Sequence, residues 1–580
     1  MPRFIAPSFR GIPGGYGGSA ARADVLAGLT VWAVLVPESL AYATIAGVSP
    51  VVGLYAAVPA LVLYSLLGSS RHLVVAPMSA TAALSLAVVA DIASAHAGAA
   101  EMAALTAGLA LAVGVAALVA GLMRLGFLAA FISEPVLKGF IIGLALTIII
   151  GQVPALLGVD KGSGNFFEQA WHVLGELDDI DPLTTVVGLA SLALLFGLRH
   201  FVPLVPASLV VALLGIGVVA VFGLDDHGLE IVGTIQSGLP SVGLPDVSGS
   251  QFLDLLGGAV GVMLVGFAEG LGAAKTYAAK AGYDIDANKE LLGLGAANLG
   301  AGLASGMVVN GSLSKTAVNG AAGARSQVSS LTAGALTLVT LLFLTGLFEQ
   351  LPEATLAAIV IAAVVELVDI ASLRRIYRVV SGPVASVYRV TARADFFAAI
   401  GALVGVLLFD TLPGLVIGIA ISLALLIART SRPHLAPLAP VGDGPARPWV
   451  DTDRNPDHAT LPGVLVVRVE GPLMFANADY VRTSVRALAH QTPDLRLVVL
   501  DGQSTPSIDV TAAGMLVQLR EDVRRLGAEL VLADDIGQVR DVLSTAEPTG
   551  EPPMFPSIEA AIAAGPGTDT GTSGSFTGSG

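Results

Sequence analysis

The sequence has no cysteine among its 580 residues, so disulfides and thiolate-held metals are excluded. Charge is scarce too: 13% of residues are Asp, Glu, Lys or Arg, against roughly 25% in soluble domains. The chain does not open with the basic stretch, short apolar core and small-residue cleavage site of a signal peptide, so the first apolar span is expected to be kept. No metal-ligand cluster, nucleophile constellation or phosphate-binding loop appears, which argues against an enzyme and calls for no cofactor. A net charge of −15 argues against nucleic acid as a partner. What abounds is apolar: 54% of the residues are hydrophobic and the mean hydropathy is +0.78. The apolar runs extend from about residue 25 to about residue 428, and each is near the ~20 residues a helix needs to cross a bilayer. Barrel strands would alternate and be shorter. The composition therefore predicts a polytopic α-helical membrane protein.

The runs predict spans at about 25–46, 50–68, 77–90, 103–123, 127–150, 182–199 and 205–224, then at about 252–273, 289–307, 312–320, 327–348, 352–369, 394–410 and 412–430. That is seven plus seven. The third member of each set is short and follows a break, Ala76-Pro77 in one and Asn310-Gly311 in the other. Matching interrupted segments in two halves point to an inverted-repeat transporter with its site where the repeats meet. Charge placement agrees with the count. With the N-terminus inside, Arg71, Arg124, Arg199, Lys275, Lys280, Arg325, Arg374, Arg375 and Arg378 fall in inside loops, whereas outside loops carry mainly Asp and Glu and only Lys161 breaks the pattern.

The expected boundaries are a cytoplasmic N-terminal segment at 1–23, a first transmembrane repeat at 24–226, a second at 250–432, a Pro/Asp-rich linker at 433–460, a small α/β domain at 461–565 and a disordered Gly/Ser/Thr tail at 566–580. Within 461–565, Val464–Val467, Leu497–Leu500 and Glu529–Leu532 read as buried strands, with helices between them at about 478–490 and 511–526.

Ionisable residues inside spans are costly and mark function by default. Glu38 follows the helix-loosening Pro37 in the first span, and burial there suits a proton carrier. Glu269 holds the corresponding place in the second repeat and is expected to bind a proton or a cation, or to pair with Lys315. Lys315 begins the short tenth span in Asn310-Gly311-Ser312-Leu313-Ser314-Lys315. Small and hydroxyl residues at a helix start, the helix dipole and the lysine make an anion site. Lys315 then either offsets substrate charge or is consumed by Glu269. Glu134 and Lys138 are expected to form a structural (i, i+4) ion pair in the fifth span.

Taken together, Pro37-Glu38-Ser39-Leu40-Ala41-Tyr42, the break Ala76-Pro77-Met78-Ser79, Gly266-Phe267-Ala268-Glu269 and Gly311–Asn319 resemble the sulfate permease (SulP) anion transporters, and the tail is similar to the STAS domain those proteins carry. The resemblance implies fourteen membrane segments in two inverted repeats, divided into a core (spans 1–4 and 8–11) and a gate (5–7 and 12–14). It implies that the helix starts of spans 3 and 10 face each other across the anion. Carried onto this sequence, the substrate contacts are Glu38, Tyr42, the backbone at Met78 and Ser79, Ser312, Ser314 and Lys315, with Glu38 and Glu269 as ion-coupling residues. Glutamate stands at 38 where the family commonly has glutamine, which suggests proton symport. Lysine at 315 keeps the charge but lacks the bidentate fork of arginine. In the STAS-like tail, Thr511 matches the place of a phosphorylated serine, and an ordinary helix N-cap explains it equally.

The sequence thus predicts a proton-coupled, elevator-like transporter of a small anion: a dicarboxylate such as fumarate, sulfate or bicarbonate. The expected setting is a multi-pass homodimer in a bacterial inner membrane, its N-terminus and STAS domain cytoplasmic, the latter free to engage a cytoplasmic partner. Sodium is the other candidate coupling ion. The alternatives are an uncoupled exchanger or channel, a nucleobase permease of the same seven-plus-seven plan, and a membrane-tethered signalling protein.

Overall fold

The computed structural model describes residues 17–565 except 95–97, 128–132, 163, 203–204, 236, 366, 382–388, 410, 443, 445–446 and 547–550. The tail expected to be disordered at 566–580, and most of the segment 1–23, lie outside the described residues. The chain divides into two compact units, Met1–Pro383 with Ala392–Ser422 and Val384–Thr391 with Leu423–Gly580.

The first half comprises α1 (Gly18–Ile45), α2 (Val51–Leu67), β1 (Val74–Ala76), α3 (Ser79–Ile92), α4 (Ala99–Leu122), α5 (Glu134–Leu157), α6 (Phe166–Gly175), α7 (Pro182–Phe201) and α8 (Ala207–Phe222). The second comprises α9 (Gly249–Ala281), α10 (Ala287–Leu303), β2 (Asn310–Ser312), α11 (Leu313–Ala321), α12 (Val328–Val339), α13 (Glu353–Val365), α14 (Ile370–Ser381), α15 (Arg389–Phe409) and α16 (Thr411–Ser431). A helix occupies each of the fourteen predicted places. Among the described residues, six helical stretches are long and apolar enough to cross a membrane by themselves. Two helices fall outside the predicted spans: α6, closed by an Asn165–Glu168 capping box, and α14, which carries Arg374, Arg375 and Arg378.

Small residues let the helices approach backbone to backbone. A Cβ on Gly114 of α4 would lie 2.7 Å from the Leu299 nitrogen of α10, and one on Gly53 of α2 would lie 2.0 Å from the Ser39 carbonyl oxygen of α1. Glycine at such contacts is what tight helix packing in membranes requires. Between the halves, β1 and β2 pair antiparallel with Val74 opposite Ser312, Val75 opposite Gly311 and Ala76 opposite Asn310. Because β1 leads through Pro77-Met78 into α3 and β2 leads directly into α11, the two short helices leave this ribbon at opposite ends.

One predicted contact differs here. Glu134 and Lys138 do not pair within α5: Lys138 binds Asp369 at 3.1 Å and Glu134 lies 3.7 Å from Arg375. Both partners belong to the segment around α14; the Lys138–Asp369 contact is half-buried, whereas the Glu134–Arg375 one is exposed and correspondingly weak.

In the second unit follow β3 (His434–Pro440), β4 (Trp449–Asp451), β5 (Val464–Glu470), α17 (Ala478–Gln491), β6 (Leu497–Asp501), α18 (Val510–Arg525), β7 (Glu529–Ala533), α19 (Gly537–Ala546), β8 (Met554–Phe555) and α20 (Ile558–Ala564). The sheet order is β4-β3-β5-β6-β7-β8, parallel from β5 to β8. Successive residues bury on opposite faces: Leu465, Val498 and Leu530 on one, Val466, Val499 and Val531 on the other. The expected linker at 433–460 is corrected, because β3 and β4 lie inside it and β3 pairs with β5. Pro433, Pro437 and Pro440 disguise the strand, whose Ala436 and Leu438 are nevertheless buried. The N-cap reading of Thr511 is also corrected: Asp509 caps α18 by accepting from the Ala512 N–H at 2.8 Å, and Thr511 is exposed in the first turn.

Candidate functional site

Glu38 lies in α1 one residue after Pro37, where the missing N–H leaves a helical carbonyl without its usual partner. Tyr42 sits one turn further on, and its hydroxyl donates to Glu38 Oε2 at 3.3 Å. From the other half, Ser312 caps α11 by accepting from the Lys315 N–H at 3.2 Å, and this first turn directs the lysine across the ribbon. Lys315 Nζ lies 2.7 Å from Glu38 Oε2, donates to the Pro77 carbonyl at 3.3 Å, and stands 4.8 Å from the centre of the Tyr42 ring. Lys315 is 1% exposed and Glu38 3%. One buried cluster therefore joins α1, the β1–α3 turn and α11.

Met78 is the N-cap of α3, in extended conformation and with no side chain closing the helix start. Both Met78 and Ser79 are buried. The free N–H groups and positive dipole end of α3 thus border the same cluster as Lys315. Ser314 is exposed, and its hydroxyl lies 3.2 Å from that of Ser312. The assembly places one buried cation beside two helix starts, with a carboxylate holding the cation. Glu38 thus already compensates the charge of this buried lysine.

Glu269 is not part of this cluster: of the alternatives left open for Lys315, pairing with Glu269 is excluded, and its carboxylate partner is Glu38. The reason is geometric: α11 aims Lys315 toward α1, while Glu269 projects from α9. Its Oε2 is buried without a hydrogen-bond partner among the described residues, as are both side-chain polar atoms of Asn310. Gly266 and Gly270, which flank Glu269 on α9, leave the space that the Asn310 amide fills: a Cβ at either would lie 3.1 to 3.2 Å from it.

Sequence reasoning missed the polar clamps that hold the ribbon. Glu290 accepts from the Tyr64 hydroxyl at 2.6 Å, from the Ser69 N–H at 2.8 Å and hydroxyl at 2.7 Å, and from the Ser70 N–H at 3.0 Å. Gln327 donates to the Ser70 and Leu73 carbonyls, and Asn319 donates to that of His72. His72 touches Tyr283 through Nδ1 and the Ala324 carbonyl through Nε2, and burial holds its imidazole below the usual value. Asp24, fully buried, accepts from the Arg325 and Ser326 N–H groups. The available signal was an acidic residue at each span edge, and edge position reads as solvent when packing is unseen.

Residues 22–388 match the sulfate permease family, and residues 455–561 match the STAS domain. A probable sulfate transporter of Mycobacterium tuberculosis is 36% identical over 94% of this chain and 95% of its own length. Sulfate transporter 1.1 of Arabidopsis thaliana is 28% identical over 93% of this chain and 85% of its own. Among solved structures, the murine Slc26a9 anion transporter in its inward-facing state superposes with a TM-score of 0.84 at 23% identity, covering 97% of this chain and 93% of that one. The transmembrane domain of the cyanobacterial bicarbonate transporter BicA superposes with a TM-score of 0.59, also at 23% identity, over 70% of this chain and 98% of that one. The chain belongs to the sulfate permease family: it is a multi-pass membrane anion transporter with a C-terminal STAS domain, and not an enzyme.

Proposed function

We propose that this protein is a proton-coupled secondary transporter that binds a small anion between the starts of α3 and α11, with Lys315 as its counter-charge and Glu38 as the group that gains and loses the proton. The observation that carries the reading is the buried 2.7 Å contact between Lys315 and Glu38. Protonating Glu38 frees Lys315 and the uncapped start of α3 for the anion, so proton and anion enter together. A monoanion such as bicarbonate then leaves the pair neutral, while sulfate or a dicarboxylate such as fumarate leaves one negative charge for the starts of α3 and α11 to offset. The likeness to relatives named sulfate transporters supports sulfate as the first candidate. Tyr42, Ser312 and Ser314 supply hydroxyls at the edge of the cluster.

In this reading the spans around the ribbon move as an elevator against the remaining ones, in a homodimer of a bacterial inner membrane with the N-terminus and STAS domain cytoplasmic. The STAS domain offers a surface to a cytoplasmic partner, and the exposed Thr511 is its candidate phosphorylation site. The test is anion-driven proton movement in proteoliposomes for wild type and Glu38→Gln, after counterflow with labelled sulfate, bicarbonate and fumarate selects the substrate. Loss of proton movement with anion exchange retained supports Glu38 as the carrier, and survival of coupled proton movement removes it.

A second reading uses sodium. Two buried, partnerless polar groups favour it: Glu269 Oε2, and the Asn310 amide that packs against Gly266 and Gly270 of the same helix. Uptake that rises with external sodium at fixed pH, and loses that dependence in Glu269→Gln, would select it.

A further inference from the structure

We propose that α14 is an interfacial helix whose arginines bind the phosphate of an anionic lipid headgroup at the membrane face that carries the arginine-rich loops. From Ile370 to Ala394 the sequence has five arginines and no acidic residue, in a chain whose net charge is −15. The placement is independent of that count. Asp369, just before α14, binds Lys138 in the second turn of α5, and Arg375 on α14 lies 3.7 Å from Glu134 in the first turn. Tyr377 packs on Phe396 with ring centres 5.5 Å apart, and Phe396 in turn meets Phe397 at 5.9 Å. In the sequence, the uncharged apolar run of α15 begins at this same Phe396, directly after Asp395. The helix therefore lies at the level where one apolar span begins and another starts its apolar run, which is the depth where aromatic side chains collect in membranes.

At that depth α14 shows lipid a mixed surface. Ile370 and Tyr377 are 52% and 54% exposed, and Arg374 and Arg378 are exposed beside them. On a helix, positions 370, 374, 377 and 378 occupy neighbouring arcs, so two guanidinium groups one turn apart run along one side of an apolar edge. Among the described residues neither Arg374 nor Arg378 has an ion-pair partner, unlike Arg375. A soluble phosphate would use the two arginines and leave Ile370, Tyr377 and Phe397 in water. A lipid satisfies both: its phosphodiester accepts from the guanidinium pair, and its acyl chains cover the apolar edge. The occupant is thus a lipid such as phosphatidylglycerol, held where α14 is already tied to α5.

The full-length protein is purified, reconstituted into nanodiscs of phosphatidylcholine with graded phosphatidylglycerol, and assayed for bound lipid by native mass spectrometry after release. Each arginine near a charged bilayer surface contributes enough that Arg374→Gln with Arg378→Gln should weaken phosphatidylglycerol retention about 30-fold. Arg374→Lys with Arg378→Lys should retain part of it, because charge survives without the fork. In the second measurement, Tyr377→Trp on an otherwise intact chain is quenched by brominated lipids. Stronger quenching by brominated phosphatidylglycerol than by brominated phosphatidylcholine at equal mole fraction is expected, with no relief from millimolar inorganic phosphate. Equal lipid retention by wild type and the Gln pair would overturn the proposal. So would fluorescence from the introduced indole that no brominated lipid quenches, which would mean that protein covers the helix, or quenching that free phosphate relieves.

Discussion

Breaking the Lys315–Glu38 pair by one partner at a time tests the centre of this structure most directly. At 2.7 Å and an effective dielectric constant of ~20, the gross attraction between the two charges is about 6 kcal/mol. Desolvation of two nearly inaccessible groups cancels much of it, so the pair's net worth is small. Losing one partner is another matter, because a charge stays buried without compensation. Glu38→Gln and Lys315→Met are therefore each expected to cost about 3–5 kcal/mol, and the double variant far less than their sum, giving a coupling of at least ~2 kcal/mol. The assay is unfolding in detergent followed by tryptophan fluorescence, with the four proteins of the cycle measured at one pH. The same cycle read by anion binding separates function from stability. With one proton taken up per anion, wild-type affinity should fall by up to about tenfold per pH unit on the alkaline side, whereas Glu38→Gln should bind with little pH dependence. Additive stability losses, or an unchanged pH slope in Glu38→Gln, would refute the argument that these two side chains compensate each other.

Three other outcomes follow from packing and charge. Gly53→Ala pushes a methyl group within 2.0 Å of the Ser39 carbonyl, next to Glu38, and should cost about 1–3 kcal/mol while lowering the maximal transport rate. Normal rates in that variant would show that α1 and α2 separate freely. Glu290→Gln replaces a four-fold acceptor with a group that must turn an NH2 toward donors. It should cost about 2–3 kcal/mol, and Tyr64→Phe about half that, both read from thermal unfolding. In the STAS domain, the hydrogen bond from Arg482 holds the Asp522 carboxyl below its ordinary value. The folded state thus binds that proton less readily, so the stabilisation is present above the ordinary carboxylate range and fades as pH falls through the folded value. Asp522→Asn should remove about 0.5–1 kcal/mol at neutral pH and flatten the acid limb, measured as amide exchange in α17 and α18. An unaltered acid limb would count against the assignment.

The helical places, the interrupted third and tenth spans and the strands at 464, 497 and 529 were legible because each depends on a local pattern: an apolar run, a helix start, a block of β-branched residues. The site was half legible. Glu38 and Lys315 stand out as charges in apolar runs, yet nothing along the chain says which of Glu38 and Glu269 meets Lys315. That choice is made by the register of β1 on β2, a contact between residues more than two hundred positions apart. The same blindness explains Lys138, whose true partner Asp369 is just as remote. Residues 433–460 misled for the opposite reason. Six prolines imitate a linker locally, and pairing with the remote β5 ties the stretch into the sheet.

A buried charge pair is only as useful as the backbone that fixes it, and here the backbone is fixed by the absence of side chains. Gly53 brings α2 onto the carbonyl of Ser39, the residue after Glu38, and Gly28 brings α1 within 2.5 Å, measured from an added Cβ, of the Ser329 carbonyl oxygen. Gly311, inside β2, would place a Cβ 2.9 Å from the Cα of Gly270, one residue past Glu269. The elements bearing Glu38, Lys315 and Glu269 are therefore wedged through glycine rather than through interlocking side chains. No rotamer change can absorb a displacement at such a contact, so a shift of one element has to carry its neighbours with it. Polar clamps complete the arrangement, with Glu290 and Gln327 seizing the chain just before β1 and Ser312 starting α11. In the proposed cycle, titrating Glu38 would change the charge beside Lys315 without changing where Lys315 is, and that invariance is what would let one proton decide whether an anion is held.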